Sequence, residues 1–194
     1  MIAGVLILLG VFVWPLWNVT LGAPQYPDPL GMNIYVNKLV GDEEFDLQNI
    51  DNLNHYIGMK TLPKEGEMWE FDVFPVVTIG MTILGLLIGF LGLTGRAGPQ
   101  WFLIWVILMS VLGLLGVYDF NLWLSDYGSD LDPNAIMKYV DADGNPMVYK
   151  PPLFGYQKLL NFDVYSYPRG GAFTLFGSIG LTFIAYLIGR KEWK

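Results

Sequence analysis

Three residues in the first long polar segment have the types and spacing of a metal half-site. Asp51, His55 and Met59 follow one another at intervals of four residues, so on a helix their side chains share one face. His55 is the only histidine of the chain. A thioether and an imidazole together suit Cu(I). A site with few such ligands would hold Cu(I) loosely enough to pass it on.

The same residues have a plainer interpretation. A lone histidine on a short helix is commonly a surface residue that forms hydrogen bonds, and methionine commonly fills gaps in a core. The sequence leaves both interpretations open. Zinc is disfavoured, because one histidine and no cysteine would leave carboxylates to complete the site. Further methionines in the polar segments are Met32, Met68, Met137 and Met147.

Other chemistry finds little support in the sequence. Residues 141–145 faintly resemble a calcium-binding loop, but the glycine comes one position early and the terminal glutamate is absent. A hairpin turn between 139–140 and 147–148 explains the Asp-Gly pair better. The chain contains no nucleophile motif, phosphate-binding glycine loop or haem-attachment motif. We therefore expect a protein that is not an enzyme.

A short helix must position the candidate ligands. Apolar residues recur at helical spacing at Leu47, Ile50, Leu53 and Ile57. Asp46 is predicted to be the N-cap of this helix. Gly58 is predicted to end it, so that Met59 lies just past the last turn. Upstream, residues 32–36 have the pattern of a strand.

Most of the remaining chain has the composition of a membrane protein. Of 194 residues, 53% are hydrophobic and 15% are charged, and the mean hydropathy is +0.41. Four runs free of Asp, Glu, Lys, Arg and His cover 1–17, 73–93, 101–118 and 170–188. At about 1.5 Å per residue, such runs cover most or all of a hydrocarbon core about 30 Å thick. We expect an all-α four-helix bundle in a lipid bilayer, with the fourth helix reaching residue 189.

The charges predict an orientation. Turn 94–100 carries Arg96 and no acid, and tail 190–194 carries three bases against one acid. Segment 18–72 has ten acids and three bases, a net charge of −7, and segment 119–169 has seven acids and four bases, a net charge of −3. By the positive-inside rule both termini face the cytoplasm. The two long loops then lie outside, where we expect them to form a small α+β domain.

The first run has an alternative interpretation as a cleaved signal peptide, since Leu21-Gly22-Ala23 loosely resembles a cleavage site. Its start lacks the usual positive charge, so we expect a retained anchor.

Pro75 and Pro99 are predicted at helix starts, where a missing N–H costs nothing. Gly85 and Gly89 form a GxxxG motif that lets another backbone approach closely. That approach would serve packing within the bundle or docking of a partner subunit.

Composition also excludes several functional classes. A net charge of −7 without a basic patch argues against nucleic-acid binding, and the absence of cysteine excludes disulfides and thiol catalysis. Ion-coupled transport usually requires ionisable residues near the middle of the membrane, and the four runs contain none. We therefore expect any function to reside in the outer loops.

Several short stretches of sequence in those loops resemble a family of small bacterial membrane proteins. They are Asn52-Leu-Asn-His-Tyr-Ile-Gly-Met59 and the stretches 130–134, 151–156 and 159–163. The family is associated with gene neighbourhoods of copper enzymes in denitrification, chiefly nitrous oxide reductase and its maturation.

The resemblance implies an accessory protein of the cytoplasmic membrane with loops facing the periplasm. It would act as a Cu(I) chaperone, with His55 and Met59 as ligands, or anchor the reductase or its assembly factors. This chain lacks the cysteine that many copper chaperones use. The alternative function is a structural subunit of a larger membrane complex with no metal of its own.

Overall fold

The structure is a computed structural model that describes residues 1–64, 66–132, 134–136, 140 and 148–192. Within these residues, three helices are long and apolar enough to cross a membrane: α3 (Trp69–Leu93), α4 (Gln100–Ser129) and α5 (Gly170–Glu192). They contain the second, third and fourth apolar runs of the sequence. Large apolar side chains cover their outer surfaces, as a lipid environment favours.

The first apolar run is built differently. It forms a six-residue helix α1 (Ile2–Ile7) and a five-residue 3-10 helix (Leu8–Phe12), and strand β1 already begins at Trp17. The two helical pieces extend roughly 20 Å, less than the ~30 Å of a hydrocarbon core. The prediction of four spans is therefore not confirmed.

The helix ends differ from the ends of the apolar runs. Helix α3 starts four residues before the run at 73, so Pro75 lies inside the helix and not at its start. Pro99 is the N-cap of α4, as predicted. Helix α4 continues eleven residues past the run that ends at 118. Hydropathy therefore did not predict this helix end: α4 continues because its last turns, with Trp123 and Tyr127, pack in an apolar cluster.

Both polar loops contribute to one antiparallel sheet of five strands, which together with helix α2 (Asp46–Ile57) we call the outer domain. The strands are β1 (Trp17–Gly22), β2 (Leu30–Ile34), β3 (Leu39–Gly41), β4 (Gly155–Leu159) and β5 (Phe162–Pro168), in the order β3-β2-β1-β5-β4. The predicted strand at 32–36 overlaps β2. Leu21 and Gly22 lie in the central strand β1, where Leu21 pairs with Leu30 and Val164 and Gly22 pairs with Asp163. The cleavage-like sequence thus begins inside the sheet.

Helix α2 (Asp46–Ile57) covers the inner face of this sheet together with the outer turns of α4. The predicted helix and its end at Gly58, with φ +82°, are confirmed. The prediction that Asp46 is the N-cap is wrong, because Phe45 occupies that position. The buried Asp46 carboxylate instead accepts hydrogen bonds from the backbone N–H groups of Gly31 (2.9 Å) and Glu43 (3.0 Å). It therefore joins the helix start to β2.

Two apolar clusters hold the molecule together. The outer cluster lies between the sheet, α2 and α4 and includes Val19, Leu53 and Val164. The inner cluster lies between α1, the 3-10 helix, α3 and α4 and includes Leu8 and Trp105. Val36, in the turn between β2 and β3, belongs to the inner cluster and is 4% exposed. The outer domain therefore inserts a side chain into the end of the helix bundle.

The GxxxG glycines of α3 face α1. A Cβ atom on Gly85 would lie 2.7 Å from Val5 Cγ2, and one on Gly89 would lie 2.7 Å from Ile2 Cγ1. The close approach that these glycines allow is thus made by the N-terminal helix of the same chain. This face of α3 is not open to a partner subunit.

Candidate functional site

The three candidate metal ligands occupy different environments. His55 is exposed on α2. Asp51 is half-buried, and its Oδ1 accepts a hydrogen bond of 2.5 Å from the backbone N–H of Leu62. Met59 packs against the outer apolar cluster. Thus one ligand faces solvent, one holds the following segment, and one faces the core.

The position of Met59 follows from the way α2 ends. With Gly58 in the left-handed conformation, the Met59 N–H donates to the Asn54 carbonyl at 2.9 Å. This is the hydrogen bond of a Schellman motif, in which an apolar side chain after the glycine packs back on the helix. Met59 and Met32 both line a cavity of about 70 Å³ between the sheet, α2 and α4. The lining of this cavity is almost entirely apolar.

Within the part of the chain that the structure describes, no group of three or more His, Asp or Glu side chains has the arrangement of a metal site. The possible calcium loop at 141–145, the hairpin between 139–140 and 147–148, and the candidate ligands Met137 and Met147 lie outside the described residues. The predicted copper site stays a prediction.

The outer face of the sheet, turned away from the apolar core, combines aromatic and polar side chains. On β4 and β5 the alternation of strand side chains places Tyr156, Tyr165 and Tyr167 on this face, all exposed. Tyr156 and Tyr165 are directly opposite each other, with ring centroids 5.0 Å apart. Phe154, just before β4, meets Tyr167 edge to face at 5.3 Å. We call these four residues the aromatic patch.

Beside the aromatic patch, β1 and β2 carry a hydrogen-bonded polar network centred on Asn18. Asn18 Nδ2 donates to Asn33 Oδ1 at 3.0 Å, and Asn33 in turn donates to Asp42. Asn18 Oδ1 accepts from Thr20 Oγ1 at 2.8 Å and from Arg169 Nη2 at 3.2 Å. Asn18 is only 3% exposed. Its amide therefore connects β1 and β2 to the start of α5.

Two groups of hydrogen-bonded side chains, one on the sheet and one between α2 and α4, have shifted pKa values. The exposed Tyr156 hydroxyl donates to Asp163 Oδ1 at 2.6 Å, and this bond raises the pKa of Tyr156 above its usual value. Lys60 Nζ lies 2.8 Å from Asp126 Oδ2 and 2.9 Å from Asp130 Oδ2. Hydrogen bonds to these two carboxylates raise the pKa of Lys60. This cluster ties the segment after α2 to the outer end of α4.

Comparisons with protein-family models, curated proteins and solved structures give no match. The resemblance to a family linked to copper enzymes stays a prediction. The geometry of the chain itself has to carry any functional proposal.

The sequence analysis did not predict the polar network on the sheet. Asn18 and Arg169 are 151 positions apart, and no local pattern connects them. The sequence did contain a signal for the strand that carries the patch. Asp163, Tyr165 and Tyr167 alternate with smaller or apolar residues, which is typical of a half-buried strand.

Proposed function

We propose that this chain is a non-catalytic accessory protein of a bacterial cytoplasmic membrane that holds a partner protein at the outer, periplasmic surface. The three apolar helices support a multi-pass protein. Turn 94–100 and the end of α5 carry Arg96, Arg190 and Lys191, which supports a cytoplasmic location for that side. Helix α1 runs antiparallel to α5, with Gly4 near Thr182 and Gly10 near Thr174. Met1 therefore points to the same side.

The aromatic patch is the observation that carries the proposal. Tyr and Phe are enriched at protein interfaces, where large rigid rings bury area at low entropic cost. The patch lies on strands that are paired in the sheet, and its rings are already in contact. It adjoins β4, an edge strand with no described strand on its other side. An exposed apolar cluster next to an open strand edge favours a protein partner.

The resemblance supplies the partner class: a copper enzyme, nitrous oxide reductase, or one of its assembly factors. Docking through the glycines of α3 is disfavoured because α1 already covers Gly85 and Gly89. We therefore assign the anchoring role to the outer domain and not to the membrane helices.

Binding of purified nitrous oxide reductase to the detergent-solubilised chain tests the proposal. The double variant Tyr156→Ser/Tyr165→Ser removes the centre of the patch and is expected to weaken binding at least tenfold. Tyr56→Ser removes an exposed tyrosine of α2 and serves as the matched control. Equal binding by all three proteins would exclude the patch as the docking surface. No binding by the wild type would exclude this partner.

Cu(I) handling is a second candidate function, favoured by the two thioethers of Met32 and Met59 at one cavity. His55 lies one turn before Met59 but faces solvent, so binding by both residues requires one of the two side chains to reorient. Anaerobic competition for Cu(I) against a chromophoric chelator tests it. The wild type is expected to bind about one equivalent, and His55→Ala and Met59→Leu are expected to lose it. Met81→Leu, in membrane helix α3, is the control. If the wild type does not compete, the copper function is wrong.

A further inference from the structure

The strand register places a particular row of residues at the end of the sheet nearest the helix bundle. Trp17 pairs with Ile34 on one side and with Pro168 on the other. One residue beyond, Leu16 N–H donates to the Ile34 carbonyl, and Arg169 N–H donates to the Leu16 carbonyl. Tyr35 N–H donates to the Lys38 carbonyl across the turn between β2 and β3. Lys38 and Arg169 therefore both lie in the last row of the sheet.

This row lies at the boundary between the outer domain and the apolar helices. Val36, two residues before Lys38, packs in the inner apolar cluster. Arg169 immediately precedes α5, and the Gly171 N–H donates to the Pro15 carbonyl at 2.9 Å. If α5 crosses a bilayer, the side chain of Arg169 lies at the level of the lipid headgroups.

Both bases are exposed and held in position. Arg169 donates to the buried amide of Asn18, and Lys38 Nζ lies 5.7 Å from the centre of the Tyr35 ring. The two bases lie in segments that are otherwise acidic: segment 18–72 has a net charge of −7 and segment 119–169 a net charge of −3. An exposed aromatic residue accompanies them at the same end: Trp14 is 51% exposed and packs against Gly170, next to Arg169. Amphipathic rings at this depth are typical of a membrane interface.

We propose that Lys38 and Arg169 of this row, with the neighbouring Trp14, bind the phosphates of anionic phospholipids in the outer leaflet. The guanidinium presents several donors to a phosphodiester, and the ammonium adds a point charge farther along the same row. The Trp14 ring lies among the glycerol and upper acyl groups. Bound anionic lipid would hold the acidic outer domain upright on the bilayer. This role does not depend on any protein partner.

Native mass spectrometry of the full chain tests the proposal, with phosphatidylglycerol or phosphatidylcholine added to the detergent micelles. Each basic residue near a charged membrane contributes about fivefold to lipid affinity. The wild type is expected to prefer phosphatidylglycerol, and Lys38→Gln/Arg169→Gln is expected to lose that preference. Lys158→Gln removes an exposed base of β4, several rows from the helices, and is the matched control. Its preference is expected to be unchanged.

Three results would overturn the proposal: a preference that survives in the double variant, an equal loss in Lys158→Gln, or displacement of the lipid by millimolar glycerol 3-phosphate. The last result would indicate a site for soluble phosphate. Because Arg169→Gln also breaks the bond to Asn18, Arg169→Lys provides a second variant that keeps the charge. It is expected to retain most of the preference, and complete loss there would contradict a role for the charge.

Discussion

The polar face of α2 and the outer face of the sheet are two polar surfaces of one domain, and they are organised in different ways. On α2, spacing alone placed Asp51 and His55 on one face, yet the segment that follows binds Asp51 and the helix end turns Met59 toward the core. On the sheet, Asn18 gathers partners from strands far apart in sequence. Helical spacing predicts which residues share a face, but packing decides whether their side chains remain free to bind a ligand.

The largest expected effect comes from breaking the network on the sheet. Asn18→Ala removes an amide that is only 3% exposed and leaves Asn33 and Arg169 without their common partner. We expect a loss of about 2–3 kcal/mol in the free energy of unfolding. Thermal and chemical unfolding of the purified chain in detergent measure it.

Asn52→Ala is the matched control on α2, because Asn52 is exposed there. Its effect is expected to stay within about 0.5 kcal/mol. Equal effects of the two substitutions would show that the sheet network adds no stability beyond that of an ordinary surface amide.

A smaller effect is expected at Asp51. Asp51→Ala removes the acceptor of the Leu62 N–H, which costs about 1–2 kcal/mol of unfolding free energy. Asp51→Asn keeps an acceptor oxygen and is expected to recover most of the loss. His55→Ala, one turn along, is expected to change stability by less than about 0.5 kcal/mol because His55 is exposed. A large loss in His55→Ala would instead indicate a structural role for the imidazole.

The smallest effect concerns the pH dependence of the aromatic patch. The bond to Asp163 raises the pKa of Tyr156, so the neutral hydroxyl is favoured in the folded chain. Its contribution to stability is present below the tyrosine's unfolded pKa of about 10 and is lost as the pH rises through the higher folded value. Ultraviolet titration of Tyr156→Phe against the wild type identifies this tyrosine.

In Asp163→Asn, Tyr156 is expected to titrate closer to the ordinary range, since the neutral amide no longer favours the protonated phenol. An unchanged titration would mean that the hydrogen bond does not form in solution. The Tyr156 ring of the aromatic patch would then not be held in place by Asp163.

The sequence was sufficient where local chemistry controls structure. Apolar runs free of charge predicted the three long helices, because a backbone in lipid must satisfy its hydrogen bonds within the helix. The period of Ile50, Leu53 and Ile57 predicted α2, and Gly58 predicted its end, since a left-handed residue without a Cβ costs little. The α+β character of the loops was expected, and their sheet is present.

Tertiary structure decided the features that depend on contacts distant in sequence. Residues 1–17 were apolar enough for a span. The helical segment ends early because β1 begins at Trp17, which pairs with both β2 and β5. Leu160 adopts φ +56° in the β4–β5 turn, a conformation that is not predictable from a leucine in the sequence. Its side chain packs on the outer core.

Hydropathy and periodicity describe each segment alone, whereas the pairing of strands from two loops follows from the free energy of the assembled core. The sequence by itself therefore determined which segments are apolar and which are helical, and only the tertiary structure brought Asn18, Arg169 and the aromatic patch onto one face.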